Sequence, residues 1–233
     1  MMWNGKKKAI TFSYDDGVTQ DIRLIELLDK YGLKATFNIN SGLLGREMNF
    51  EREGKEISHI RIEKGDIARV YKDHEVAAHT LTHPRLTALP EKEIIEQVER
   101  DRLALSDIVG YEVFMMAYPG GGVNNDERVA GVIRDHTGIR FARTIRSAYS
   151  FAPQADLYRF DPTVYQHGDG IARVRELADK LFESDTDEPQ LLYIWSHSYE
   201  LDIRDEWNKL EELFRFISNR DDVFYGTNSQ VLF

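Results

Sequence analysis

The stretch TFSYDDG, at residues 11–17, ends a β-prone run in two adjacent aspartates and a glycine. Residues 8–14 predict a strand, and Asp15 and Asp16 bring two like charges together where that strand stops. Like charges this close cost free energy unless a cation shares them. An Asp-Gly pair after a strand is also a common turn signal. The stretch by itself therefore leaves two interpretations open, a turn or a metal ion beside the aspartates.

Outward from this stretch, strand and helix signals alternate along the chain, with no repeat, linker or low-complexity segment. Apolar residues at helical spacing predict helices near residues 22–31, 90–108, 125–136, 171–181 and 207–217. Strands are predicted at residues 8–14, 34–40, 75–78, 114–118, 140–145, 191–195 and 223–225. Residues 42–70 are predicted to be irregular. Such alternation implies a parallel sheet with helices outside it, so we predict one α/β domain over residues 1–233, closed into a barrel.

The composition narrows the classes of function. A formal net charge of -10 disfavours nucleic acid and anionic membranes as partners. The chain has no cysteine, which excludes disulfides, zinc-thiolate sites and thiol nucleophiles, so any metal must be held by histidine and carboxylate. No apolar run approaches the ~18 residues of a membrane span, and the first residues lack the apolar segment of a signal peptide. We expect a cytoplasmic chain, although a secreted chain without its leader would have the same sequence.

Polar residues follow several of the predicted strands, where the chemistry of parallel barrels is located. HTLTH, at residues 79–83, places His79 and His83 at i and i+4, which predicts two imidazoles on one face of a helical turn that Pro84 ends. Two imidazoles and one aspartate give three protein ligands and an open position, the pattern of a catalytic zinc site. An isolated H-x-x-x-H pair is usually two surface residues, so the metal interpretation depends on the aspartates.

In their order along the chain, TFSYDDG, HTLTH and YIWSH (residues 193–197) make the sequence resemble the polysaccharide deacetylases, carbohydrate esterases with a NodB-homology domain. The resemblance implies a distorted (β/α) barrel of about seven parallel strands that removes N- or O-acetyl groups from carbohydrates. It also implies that Asp16, His79 and His83 bind zinc, or another divalent ion such as cobalt or nickel. Asp15 would be the general base, and His197 the general acid.

The chain departs from the family pattern at the third motif. There the family has an arginine that tethers the base aspartate, whereas AYPGG (residues 117–121) has Ala117. Arg140 or Arg143 on the next strand could replace it, or could be a solvated arginine at a strand end. The family uses the N–H after the motif's proline, Pro119, to stabilise an oxyanion, which implies the same role for Gly120.

Other candidates are less specific. The family's fourth motif, an acidic residue and a tryptophan, has no clear counterpart, and Asp161 and His167 are candidates for that region. Tyr199 and Glu200 line the sugar site or cap the following helix. The candidate oxyanion and substrate-binding residues are Tyr118, Pro119, Gly120, Arg143, Tyr199 and Glu200. Structural interpretations are preferred for Trp195, which we expect to pack inside the barrel, and for the surface or structural histidines His59, His74 and His136.

Three functions remain open. The first is a metal-dependent deacetylase acting on a soluble acetylated oligosaccharide or small glycoconjugate. The second is another C–N hydrolase on the same scaffold, acting on an amide that is not a glycan. The third is a carbohydrate-binding barrel without catalysis, which the presence of both Asp15 and His197 disfavours because binding requires neither. The sequence does not determine the substrate, the metal or the oligomeric state.

Overall fold

The computed structural model describes residues 2–233, and its strands alternate with helices over most of that range. In chain order the strands are β1 (Lys8–Asp15), β2 (Ala35–Ile39), β3 (Glu47–Arg52), β4 (Lys55–Ile60), β5 (Glu75–Ala78), β6 (Met115–Ala117), β7 (Phe141–Arg143), β8 (Val164–Tyr165), β9 (Gln190–His197) and β10 (Val223–Tyr225). Seven of them form one parallel sheet in the order β7-β6-β5-β2-β1-β9-β8, and β10 pairs with the beginning of β1. From Ala9 onward β1 is buried, as expected for a parallel strand covered on both faces.

Helices cover the outside of the sheet. They are α1 (Gln20–Lys30), α2 (Ile67–Val70), α3 (Glu91–Val109), α4 (Glu127–His136), α5 (Gln166–Asp169), α6 (Ile171–Glu183), α7 (Glu200–Arg204), α8 (Trp207–Ile217) and α9 (Asn228–Leu232). All five predicted helices are present. On α1 the buried face includes Leu24 and Leu28, whereas Ile22, expected on that face, is 45% exposed. No helix within residues 2–233 combines the length and the apolar character needed to cross a membrane.

An irregular segment at residues 157–163 joins the two ends of the curled sheet. On one side the amide of Ala142 in β7 donates to the Leu157 carbonyl at 2.8 Å, and Phe160 N donates back to Ala142 O at 3.0 Å. On the other side Thr163 N donates to the Tyr193 carbonyl in β9 at 2.9 Å. The sheet therefore curls into the distorted (β/α) barrel that the sequence predicted.

The prediction of an irregular segment at residues 42–70 is wrong. β3 and β4 form an antiparallel hairpin there, and α2 follows it. The two-residue turn, Glu53 and Gly54, has positive φ at both positions (52° and 75°), as type I′ hairpin turns require. Bonds from Thr19 N to Ile60 O (2.8 Å) and from Ile62 N to Gly17 O (2.9 Å) fasten the base of the hairpin beside Asp15 and Asp16. The hairpin was not predicted because its sequence is rich in charged residues, which are depleted in strands.

Candidate metal centre and substrate pocket

The carboxyl ends of β1, β5 and β9 meet at one pocket of about 370 Å³. The pocket contains all five residues expected to carry the chemistry, from the ends of these strands and the loops after them. Its lining comprises Asp15, Asp16, Arg52, His79, His83, Tyr118, Gly120, Gly121, Ile145, Tyr165, Trp195, His197, Tyr199 and Glu200. The structure therefore brings these five residues together in one pocket, as expected from the sequence.

Asp16, His79 and His83 form a cluster whose three ligand atoms lie within 4.8 Å of one another. Asp16 Oδ1 is 3.9 Å from His79 Nε2 and 3.7 Å from His83 Nε2. His79 Nδ1 donates to the Ala117 carbonyl at 2.9 Å, which leaves the Nε2 lone pair facing the cluster. Asp16 Oδ1 is buried without a hydrogen-bond partner among the described residues. Two imidazoles and a carboxylate oxygen at these separations fit a divalent cation such as zinc.

The charge states of the cluster also suit a cation. Burial opposes ionisation of Asp16, but the hydrogen bond from His59 and the charge of Arg61 outweigh it and hold the pKa of Asp16 well below its usual value. Burial lowers the pKa of His79 to about 4 and also lowers the pKa of His83. One carboxylate and two neutral imidazoles, the forms that bind metal, are therefore present at neutral pH.

The HTLTH segment is not the helical turn that its spacing predicted. Residues 79–84 form an irregular loop in which Thr80 and His83 have positive φ values of 69° and 59°. The imidazole rings nevertheless lie 4.9 Å apart. Buried Asp101 of α3 accepts hydrogen bonds from His79 N (2.9 Å) and Ser41 N (2.7 Å) and so holds the start of the loop. Asp101 has no motif around it, so this role could not be predicted from the sequence.

Asp15 is held by an arginine from the neighbouring strand. Arg143 is fully buried, and its Nη2 donates to Asp15 Oδ1 and Oδ2 at 2.5 and 2.6 Å. Arg143 is the register partner of Ala117, the position where the arginine of the third motif was expected. Asn38 Nδ2 adds a hydrogen bond to Asp15 Oδ1 at 2.8 Å. Arg140, the alternative replacement, instead pairs with Glu112 on the surface at 2.8 Å.

His197 is paired with Glu200. Its Nδ1 lies 3.2 Å from Glu200 Oε2 without the alignment of a hydrogen bond, so the contact is an ion pair. Burial opposes the charge on His197, but the Glu200 carboxylate prevails and raises the pKa of His197 to about 9. The same carboxylate accepts hydrogen bonds from Ser196 Oγ (2.9 Å) and from Tyr165. Glu200 thus stabilises the protonated form of His197, and both of its carboxylate oxygens already accept hydrogen bonds.

Aromatic side chains form one wall of the pocket. Trp195, interpreted from sequence as barrel packing, lines the pocket and stacks on Tyr165 with ring centroids 4.2 Å apart. The guanidinium of Arg143 lies 4.6 Å from the Trp195 ring centroid. Tyr199 lies beside His197, with 5.0 Å between the ring centroids. These aromatic side chains give this side of the pocket a largely apolar wall.

The hairpin contributes residues that sequence reasoning missed. His59, interpreted as surface or structural, is buried and donates from Nε2 to Asp16 Oδ2 at 3.1 Å. Arg61 Nη2 is 3.1 Å from Asp16 Oδ1, and its Nη1 donates to the Asp16 carbonyl and to Asn40 Oδ1. Arg52 lines the pocket from the tip of β3. Only the fold brings these positions, 36 to 45 residues beyond Asp16, to the pocket that contains it.

The other predicted residues either line the pocket without contacting the cluster or lie outside its lining. Gly120 lines the pocket at φ 80°, and its N–H makes no hydrogen bond within residues 2–233. The hydroxyl of buried Tyr118 donates to the Tyr158 carbonyl at 2.7 Å. Pro119 is not among the lining residues. Asp161 lies in an adjoining cavity, bonded to Thr144 and Arg146, and His167 is buried outside the pocket lining.

The fold and the site together define a class of protein. It is a parallel barrel with a candidate catalytic metal site, an Asp-His-His cluster, at its strand ends. The profile of one such family, "Polysaccharide deacetylase", matches residues 3–139. The chain belongs to the polysaccharide deacetylase family.

The chain also resembles a curated relative in sequence and several solved structures in fold. A peptidoglycan-N-acetylglucosamine deacetylase of Listeria monocytogenes is 28% identical over 126 residues, covering 50% of this chain and 22% of the relative. The chain thus spans about a fifth of that relative's length. A family 4 carbohydrate esterase from Streptomyces lividans, solved with acetate, matches with a TM-score of 0.58 at 14% identity, over 97% of this chain and 94% of that one.

A family 4 pseudoenzyme from Bacillus anthracis also shares the fold. It matches with a TM-score of 0.56 at 18% identity, over 97% of this chain and 66% of that one. At such low identities the structural likeness concerns the fold, which active and inactive members share. Evidence for the chemistry of this chain therefore comes from its own side chains.

Proposed function

We propose that this chain is a metal-dependent hydrolase that removes an acetyl group from an N- or O-acetylated carbohydrate. The observation that carries the proposal is the convergence, in one pocket, of the Asp16-His79-His83 cluster with Asp15 and with a charged His197. Family membership supports the reaction class, as does the deacetylase activity for which the Listeria relative is named.

Each of these residues has a separate role in the proposed reaction. Asp16, His79 and His83 would hold the divalent ion, zinc or another such as cobalt or nickel. A divalent ion bound there polarises a carbonyl oxygen and makes water easier to deprotonate at neutral pH. Asp15, fixed by Arg143 and Asn38, takes the proton from the attacking water. Because Arg143 holds both carboxylate oxygens, Asp15 keeps one orientation towards the pocket.

The remaining groups act on the developing charge and on the leaving group. The free N–H of Gly120 is a candidate donor to the oxyanion, since backbone N–H groups commonly stabilise acyl-transfer intermediates. His197, protonated at neutral pH because of Glu200, donates a proton to the departing sugar amine or hydroxyl. Trp195, Tyr165 and Tyr199 provide the surface that positions the sugar ring.

Acetate release tests this proposal. Metal-stripped protein reloaded with zinc or cobalt is assayed on N- and O-acetylated mono- and oligosaccharides, with Asp15→Asn as the control. We expect release that depends on metal and falls about 10²- to 10⁴-fold in the control, the usual contribution of a positioned base. If neither protein releases acetate with metal bound, the result would contradict the proposal. It would favour a different amide substrate or a binding barrel.

A further inference from the structure

The β3–β4 hairpin separates its charges between its two faces. The register pairs Met48 with His59, Phe50 with Ile57 and Arg52 with Lys55, and each pair shares one face of an antiparallel ladder. That face contains Met48, Phe50 and Ile57 together with both Arg and Lys residues of the ladder. The other face contains the three strand glutamates, Glu47, Glu51 and Glu56.

The cationic face is the one turned towards the pocket. Ile57 and His59 are buried, and the Phe50 and His59 rings lie 5.5 and 4.9 Å from the ring of Tyr199, which lines the pocket. Arg52 is the next residue on this face beyond Phe50 and itself lines the pocket. The Glu53 carboxylate at the hairpin tip pairs with Arg204 of α7 at 2.8 Å, which holds the tip beside the barrel mouth.

Arg52 differs from the other charges of the pocket in having no partner. Asp15 is paired with Arg143, Asp16 with Arg61, and Glu200 with His197. Within residues 2–233, by contrast, Arg52 is exposed and takes part in no ion pair and in no side-chain hydrogen bond. A chain with 40 acidic and 30 basic residues thus leaves a guanidinium unneutralised where substrate would enter.

The field of Arg52 reaches the aromatic wall. Burial raises the pKa of Tyr165 and of Tyr199, and the charge of Arg52 acts in the opposite direction on both. Arg52 also lines the same pocket as these two tyrosines, which belong to the surface expected to hold the sugar ring.

We propose that the pocket takes an acetylated sugar bearing a carboxylate, and that Arg52 binds that carboxylate. This inference rests on the proposed function and narrows its substrate class. Arginine suits the role because its planar donors match a carboxylate bidentately. Lys55, on the same face of the hairpin, adds positive potential at the mouth. Arg52 would bind ground state and transition state alike, so its contribution belongs in KM.

Pairs of substrates that differ only in one carboxylate test the effect of its charge. N-acetylglucosamine carrying a 3-O-lactyl carboxylate (N-acetylmuramic acid) is compared with its methyl ester, and 2-acetamido-2-deoxyglucuronic acid with its own methyl ester. The zinc-loaded chain should show a kcat/KM at least about fivefold higher for one of the acids than for its ester. The preference should decrease in 0.5 M salt, because an exposed guanidinium is screened.

Variants assign the effect to Arg52. Arg52→Gln should raise KM for the preferred acid about fivefold and leave its ester within about twofold. Arg52→Lys keeps the charge but not the bidentate donors, so it should keep only part of the preference. Lys7→Gln removes the same charge just before β1, at the opposite end of the barrel, and should change neither substrate. Equal rates on acid and ester in both pairs, or an Arg52→Gln variant that affects both alike, would overturn the inference.

Failure of the proposed function would look different. If no sugar is deacetylated with metal bound, the same acids and esters are titrated calorimetrically against the chain and against Arg52→Gln. Tighter binding of an acid that is lost in Arg52→Gln supports the carboxylate site without the chemistry. Equal binding of acid and ester, or binding of neither, contradicts it.

Discussion

Two regions of the molecule reach the same pocket by different routes. The strand-end residues, Asp15, Asp16, His79, His83 and His197, lie at or just after the carboxyl ends of β1, β5 and β9. The hairpin region, residues 47–61, lies outside the barrel sheet and contacts the pocket through Arg52, His59 and Arg61. In the proposed function, the strand ends carry the groups that would react or hold a cation. The hairpin surrounds one of them, Asp16, with donors and positive charge.

This difference separates two requirements of a catalytic site. Reacting groups need fixed positions, and buried parallel strands provide them. Orientation and charge can come from any element that packs against the strand ends, because hydrogen bonds and Coulomb forces do not depend on where the partner lies in the chain. We therefore expect changes in the strand-end region to affect folding and catalysis most, and changes in the hairpin to affect metal affinity and substrate choice.

The largest effect is expected for Arg143. Arg143→Gln leaves the Asp15 carboxylate buried without its cation, which should lower the free energy of unfolding by about 3 to 5 kcal/mol in urea titrations. The double variant Asp15→Asn/Arg143→Gln contains no buried unpaired charge and should recover part of that loss. Arg140→Gln, on the surface of the same strand region, is the matched control. A loss no greater for Arg143→Gln than for Arg140→Gln would show that the pair does not stabilise the barrel.

A hairpin change should act on the metal site. His59→Ala removes the donor to Asp16 Oδ2, and loss of such a partner commonly weakens metal binding 10- to 100-fold. Competition with a chromogenic chelator measures the zinc Kd, and His59→Gln, which keeps an N–H donor, should restore part of the affinity. His74→Ala replaces another buried histidine away from the pocket and should leave the Kd unchanged. An unaltered Kd in His59→Ala would remove the hairpin from the metal site.

The smallest of these effects concerns pH. His197 is protonated below its pKa of about 9, so kcat/KM should fall on the basic side near that pH. Glu200→Gln removes the carboxylate that raises this pKa and should move the basic limb to lower pH, with about a tenfold loss at pH 8. Glu206→Gln, on the same segment, should leave the limb in place. A basic limb that does not move in Glu200→Gln would show that His197 does not set it.

The same ion pair links stability to pH. Because the folded pKa of His197 is raised from 6.5 to about 9, its contribution to the free energy of unfolding is complete below pH 6.5. The contribution is lost as the pH rises through about 9.

Several features could be predicted because they are local. A buried strand needs β-prone residues and an amphipathic helix needs apolar spacing, so most elements were placed correctly from their own residues. The order of the motifs around Asp15, His79 and His197 was enough to indicate the family. The position of Arg143 was also accessible as one of two candidates, since the next strand lies beside the one that contains Ala117.

Other features were predicted wrongly because they depend on tertiary contacts. The i and i+4 spacing of His79 and His83 suggested a helical turn, but Asp101 holds the backbone of His79 and the loop adopts positive φ at two residues. The hairpin has few strand-forming residues, and its packing on Tyr199 stabilises it. The cytoplasmic location stays a prediction.

The sequence by itself determined the class of fold, the family and the residue types of the site, because strand periodicity and motif order are properties of short segments. Only the tertiary structure decided which cation neutralises which carboxylate. Arg143 reaches Asp15 across 128 positions of sequence, and His59 reaches Asp16 across 43. Pairing between charges is governed by distance in space, and that distance is set when the sheet curls and the hairpin docks on it.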